Sequence, residues 1–291
     1  MYILYTHFIY SMKLNEYIKN NDFLVCVDSD GCAIDSMDIK HIRSFGPCMV
    51  VEWGLQEWKE EILARWNDIN LYTLTRGINR FKGLSMALQE INEKYTKIED
   101  LSTLVSWVET TKELSNAALV REIEVNPSKS LQKALSWSKS VNLSIEALPE
   151  EEVIPFGKVK DALSFAHQRS DVAIVSSANL GAVLAEWTRH KLIEHADIVL
   201  AQDAGTKAYC IGELLTKGYD KANVIMCGDA LGDLEAARKN GVLFFPILVK
   251  HEKECWEEFI NVAFDKFLNG TYLGEYQDDR IDKFLKNLGG K

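Results

Sequence analysis

FLVCVDSDG, residues 23–31, is the stretch on which the reading of the chain turns. Phe23 to Val27 are apolar without interruption, and the run breaks directly into Asp28-Ser29-Asp30-Gly31. A strand with one wet face alternates polar and apolar residues, whereas a strand buried on both faces reads as a continuous apolar run. An acidic pair immediately after such a strand is held by rigid scaffold and still open to a ligand.

Four further runs have the same character: VAIV (Val172–Val175), DIVLA (Asp197–Ala201), VIMC (Val224–Cys227) and VLFFPI (Val242–Ile247). The segments between them are of helix length, so the expected fold is α/β with a parallel sheet. Sheets of this kind bind ligands beyond the carboxyl ends of their strands. Two of the later runs deliver polar groups to that position: VAIV ends in Ser176-Ser177-Ala178-Asn179, and VIMC in Gly228-Asp229-Ala230-Leu231-Gly232-Asp233.

Between the first and second runs, about 120 residues show helical periodicity and almost no strand signal. Trp58, Ile62, Leu63 and Trp66 share one helical face; Phe81, Leu84, Leu88 and Ile91 share another; Leu101, Leu104, Val105 and Val108 form a third. Pro127 suits the first turn of a further helix through Leu131, Leu135 and Trp137. The expected organisation is a core of residues 1–35 and 157–291 interrupted by a helical domain of residues 36–156. After the last strand come an amphipathic segment through Trp256, Phe259, Ile260, Ala263 and Phe267, a polar stretch GEYQDDR and a short terminal helix.

Bulk properties narrow the function. With 33 basic and 43 acidic residues the formal net charge is -10, a field that repels polyanions and argues against nucleic acid as a partner. No stretch of about 20 apolar residues exists to span a bilayer, so no membrane partner is expected. The six cysteines show no C-x-x-C spacing and suit a reduced, cytoplasmic setting. The opening MYILYTHFIY has no basic n-region and no small-residue cleavage pattern, unlike a signal peptide. Whether translation starts at Met1 or Met12 is open at this level, as is the oligomeric state.

If Asp28 and Asp229 lie on neighbouring strands, their carboxylates repel by about 4 kcal/mol at 4 Å in a medium of effective dielectric near 20. Protonation of one would relieve this; a hard divalent cation with oxygen ligands, Mg2+ above all, relieves it at neutral pH.

Taken in order, these motifs resemble the haloacid dehalogenase-like hydrolase superfamily, in the branch with a helical cap inserted after the first strand. The D-x-D-G signature is Asp28 to Gly31, followed by the pair Asp35-Ser36. The strand-terminal hydroxyl is Ser176, and the acidic motif G-D-x-x-x-D is Gly228, Asp229 and Asp233. The lysine ahead of that motif is Lys207, with Lys217 as competitor.

The resemblance implies a Rossmann-like core, Mg2+ as cofactor and a phosphorylated small-molecule substrate. Asp28 is then the nucleophile that forms an aspartyl-phosphate, and Asp30 the general acid and base. Ser176 and Lys207 bind the phosphoryl group. The implied metal ligands are a side-chain oxygen of Asp28, the backbone carbonyl of Asp30, and Asp229, with Asp233 either a ligand or an acceptor behind the ligands. Amides around Gly31, together with Ser177 and Asn179, are candidate substrate contacts, although a turn or helix cap is an equal reading for Ser177 and Asn179.

In the helical domain, Arg76, Arg80 and Lys82 form a cationic group suited to an anionic substrate, or else a solvated surface. A phosphatase is the first expectation. The Phe81–Ser85 segment slightly resembles a substrate loop of β-phosphoglucomutases, but Met86 stands where an arginine is expected. Phosphonate hydrolysis is a further alternative, for which no Schiff-base lysine can be nominated.

Overall fold

A computed structural model of the chain describes residues 14–290; the MYILYTHFIY segment and Met12 lie outside the described residues. Five apolar runs form one fully parallel sheet: β1 (Leu24–Val27), β4 (Asp171–Val175), β5 (Ile198–Leu200), β6 (Val224–Gly228) and β7 (Leu243–Pro246), in the order β5-β4-β1-β6-β7. β1 is central, with Val27 opposite Ile174 on one side and Cys227 on the other. Every residue of β1, β4 and β6 is buried, which is why none of them alternates.

Two short strands, β2 (Ile34–Asp35) and β3 (Ile154–Pro155), pair antiparallel where the chain leaves the core and re-enters it. They explain the domain boundaries. The chain divides into a core up to Ser36 and from Val153 onward, and a second unit of Met37–Glu152. The pairing draws Ser36 and Val153 to Phe156 into the core, so the junctions fall at 36/37 and 152/153 rather than 35/36 and 156/157.

The inserted unit is helical: α1 (Gly46–Trp53), α2 (Lys59–Asn67), α3 (Arg80–Lys94), α4 (Leu101–Thr110), α5 (Asn116–Val125) and α6 (Lys129–Glu146). Phe45, Trp66, Phe81 and Trp137 meet in its centre, and burying a side chain such as Phe81 contributes about 1.5–3 kcal/mol. Buried indoles need acceptors, and Trp137 Nε1 donates to the Phe45 carbonyl at 3.1 Å. Pro127 does not occupy the first turn of α6. Ser128 is the N-cap and accepts from the Leu131 amide at 3.4 Å, so the proline precedes the cap.

Core helices fill the connections: α7 (Val159–Ala166), α8 (Leu180–Arg189), α9 (Lys207–Leu215), α10 (Leu231–Asn240), α11 (Glu252–Glu258) and α12 (Glu275–Asn287). α12 begins inside GEYQDDR rather than after it: the polar residues of that stretch open the helix, while Ile281 and Phe284 face inward. Among the described residues no helix is long and apolar enough to cross a membrane. All six cysteines are unpaired, and all but Cys48 are buried.

Candidate active site

The carboxyl edge of the sheet gathers the charged groups of the core. Asp28 follows β1, and its amide donates to the Cys227 carbonyl at 3.0 Å, which locks it beside β6. Asp229 follows β6, and Asp233 occupies the first turn of α10. Asp28 is 6% exposed, Asp229 1% and Asp233 0%. Asp233 can turn back beneath the strand because residue 228 is glycine: a Cβ there would lie 2.3 Å from the Asp233 carboxyl carbon. Its Oδ2 accepts from the Ala230 amide at 3.0 Å, which fixes the carboxylate against the start of its own helix.

Lys207, the first residue of α9, reaches into this group. Its Nζ lies 2.6 Å from Asp28 Oδ2 and 2.5 Å from Asp233 Oδ1. Lys217 instead donates to the Asn15 carbonyl. Burial pushes the Asp28 carboxyl up to about 8; Lys207 opposes that shift, while the charges of Asp233 and Asp229 add to it. Burial alone would lower the Lys207 amine, but Asp233 and Asp28 overcome it and hold the amine above its usual range. One ammonium thus pairs with two buried carboxylates, with a third beside them.

Ligand oxygens of Asp28, Asp229 and Asp233 lie within 4.8 Å of one another. A compact set of hard, anionic oxygens fits a divalent cation of the Mg2+ type far better than a soft metal, which would call for thiolate or imidazole.

Asp30 stands apart from the three. It is partly exposed, and Ser36 Oγ donates to its Oδ1 at 2.5 Å. The turn between them is shaped by Gly31, whose φ of 78° lies in the left-handed region that glycine tolerates. Ser176, directly after β4, is 2% exposed, and its Oγ accepts from the Ala178 amide at 3.1 Å. Ser177 is exposed, and Asn179 is the N-cap of α8, accepting from the Gly181 amide at 2.9 Å.

The three cations of the helical unit are not a common surface. Arg76 is 2% exposed and donates to the Leu71 carbonyl at 2.8 Å, so it is built into its own loop. Arg80 is half-buried over the Phe45 ring and donates to Ser138 and Asn142, both neutral; burial lowers its pKa. Lys82 is exposed.

Sequence reasoning missed two contacts with the Asp28–Asp30 loop. Trp187 on α8 donates its Nε1 to Ser29 Oγ at 2.9 Å, and Trp256 on α11 donates to the Cys32 carbonyl at 3.0 Å. Trp256 carries the signal of an aromatic core residue and nothing more.

Comparison with known proteins bears on the family and the fold. The family model described as haloacid dehalogenase-like hydrolase matches residues 99–247. No curated protein matches the sequence. Among solved structures, a haloacid dehalogenase-like family hydrolase from Streptococcus pneumoniae superposes with a TM-score of 0.51 at 14% identity, covering 81% of this chain and 90% of its own. One from Xanthomonas campestris gives 0.50 at 11% identity, covering 87% and 94%. A putative β-phosphoglucomutase from Thermotoga maritima gives 0.49 at 16%, covering 84% and 99%. At such identities the likeness to the first two structures speaks to the fold alone, but the family model spans just over half of the chain, and with it the chain belongs to the haloacid dehalogenase-like hydrolases.

Proposed function

We propose that the protein is a Mg2+-dependent phosphatase of a small phosphorylated metabolite, working through an aspartyl-phosphate on Asp28. The observation that carries the reading is the single ammonium of Lys207 bridging Asp28 and Asp233 beside a third buried carboxylate, Asp229. Three buried carboxylates gathered this closely repel one another, and a bound cation relieves that repulsion. Asp28, Asp229 and Asp233, with the backbone carbonyl of Asp30, are the residues assigned to hold Mg2+. When bound, the ion supplies the countercharge that keeps Asp28 ionised and admits a phosphoryl group.

Asp28 attacks phosphorus while Lys207 and the Ser176 hydroxyl steady the phosphoryl oxygens. Asp30 protonates the leaving oxygen and then takes the proton of the hydrolytic water. Its partial exposure suits a group that must meet both a departing alcohol and an incoming water. Gly31, Ser177 and Asn179 are assigned to the rim of the phosphate site.

Choice of substrate is assigned to the helical unit. Arg80 is its best candidate contact, a half-buried cation whose hydrogen-bond partners are neutral. Met86, where a phosphomutase would be expected to carry arginine, packs against the apolar core of that unit. This favours hydrolysis over isomerisation. Six unpaired cysteines suit a reducing, cytoplasmic setting.

The test is turnover of an activated aryl phosphate, then of a panel of phosphorylated metabolites, with and without metal. Mg2+ should support hydrolysis and EDTA should abolish it; full turnover in metal-stripped protein would overturn the assignment.

A further inference from the structure

Ser29 separates the two aspartates of the D-x-D motif, and all of its polar groups are engaged. Its amide donates to Asp28 Oδ1 at 2.7 Å. Its carbonyl accepts from the amides of Ala33 at 3.0 Å and Ile34 at 2.9 Å, which closes the turn after Asp30. Its hydroxyl, fully buried, accepts from Trp187 Nε1 at 2.9 Å. Two residues past Asp30, the Cys32 carbonyl accepts from Trp256 Nε1 at 3.0 Å.

Both indoles are fully buried, and they come from helices 158 and 224 residues away in the chain. A tryptophan that only filled space could direct its N–H to any carbonyl of its own surroundings. One directs it to the residue between the candidate nucleophile and the candidate acid, the other to the turn just past the acid. An indole N–H left without an acceptor in a buried site costs about 1–3 kcal/mol, so each bond resists displacement of the turn. The turn gains from such restraint: residues 29–34 contain no strand or helix beyond the first residue of β2, and Asp30 makes an isolated bridge to Ile34 in the small β2–β3 sheet and none to the parallel sheet.

We propose that Trp187 and Trp256 are positioning residues, two indole clamps that hold the 29–34 turn so that the Asp28 and Asp30 carboxylates keep their relative placement through both chemical steps. The inference rests on the phosphatase reading for its kinetic consequence, but the clamp is a physical property that can be measured without turnover. Neither tryptophan touches the reacting atoms. Their effect passes through Ser29 and Cys32, as misplacement of reacting groups by about 1 Å can cost about 100-fold in rate.

The experiment compares wild type, Ser29→Ala, Trp187→Phe, the double variant and Trp256→Phe. Ser29→Ala removes only a hydroxyl, so it remains folded even where a tryptophan replacement does not. Kinetics with a small aryl phosphate at saturating Mg2+ should show kcat reduced by about 10- to 100-fold in each single variant, with KM within about two-fold. The double variant should be no slower than the worse of its two parents, because both remove one bond. Amide hydrogen exchange should show residues 29–34 exchanging at least about 10-fold faster in Ser29→Ala, while β6 keeps its protection. Losses that multiply in the double variant, or kcat unchanged while thermal stability falls, would reduce the tryptophans to core packing. If wild type hydrolyses no phosphate ester, the phosphatase reading fails, and unaltered exchange at residues 29–34 is the separate result that overturns the clamp.

Discussion

Buried aspartates stand at both ends of the same sheet, and the protein treats them in opposite ways. At the amino edge, Asp171 opens β4 with no exposed surface; the amides of Asn20 and Asn21, the Asn21 side chain and the Tyr219 hydroxyl all donate to it. Asp197, half-buried just before β5, accepts from the Val172 amide at 2.8 Å and pairs with His167 Nε2 at 3.2 Å. Each carboxylate there has its own set of donors. At the carboxyl edge, three carboxylates lie within 4.8 Å of one another, two of them on the one ammonium of Lys207, and burial with mutual repulsion pushes Asp28 up to about 8. Saturation marks an aspartate that holds the fold together. Crowding of like charge marks a site that waits for something to arrive, at a cost in stability.

Substitution should separate the two edges. Asp28→Asn should reduce phosphatase turnover to background and abolish acid-stable phosphoenzyme, yet leave the melting temperature of the metal-free protein unchanged or raised, since one of three repelling charges is gone. Labelled phosphoenzyme at wild-type levels would exclude Asp28 as nucleophile, and a large fall in melting temperature would erase the contrast.

Asp171→Asn should do the reverse. An amide cannot accept from all four donors at once, and its own N–H2 meets them head-on, so unfolding in denaturant should show a loss of about 2–4 kcal/mol. At temperatures where the variant is folded, kcat should stay within about two-fold of wild type, because the residue lies at the far end of β4. Equal losses of stability in Asp28→Asn and Asp171→Asn would mean the two edges are not distinct.

The smallest effect concerns His167. Its hydrogen bond to Asp197 raises its pKa above the ordinary 6.5, against its partial burial. A histidine whose folded pKa is raised stabilises fully below its unfolded value, and the gain disappears as pH rises through the folded value. Melting of wild type and His167→Gln at a series of pH values should show a difference below about 1 kcal/mol near pH 5.5. That difference should shrink steadily above pH 6.5. Nearby His195 is pushed the other way by its burial, so it works against the trend and the His167 variant is the proper comparison. A difference that grows with pH would reverse the assignment.

The edges were also unequally legible in sequence. Continuous apolar runs announced all five parallel strands, because burial on both faces leaves no room for polar residues. Motifs at the carboxyl edge were legible for a related reason: charged residues directly after such runs have no structural excuse. The lower network was invisible, since Asp171 meets Asn20, Asn21 and Tyr219 only once the chain has folded. The same holds for the bond from Ser36 to Asp30 and for the two indoles. Arg76 was read as part of a cationic group because its neighbours in sequence are basic; the loop instead turns it inward to the Leu71 carbonyl. Helix ends misled where composition was ambiguous, as in GEYQDDR, whose polarity belongs to the outer face of α12.

The central position of β1 has a cost in time. Its residues must pair with β4, whose first residue lies 147 positions later, and with β6, 200 positions later. At a synthesis rate of about 5–20 residues per second, the strand that carries Asp28 emerges roughly 10–40 s before its second partner exists. Over the same interval the 37–152 segment, built from helices whose neighbours in space are mostly neighbours in sequence, can complete itself by local contacts. Until β4 emerges, the nascent chain therefore carries four unsheltered apolar residues, LVCV, with both hydrogen-bonding edges open, and one edge stays open until β6 follows. That is the interval in which a chaperone has most to offer this protein.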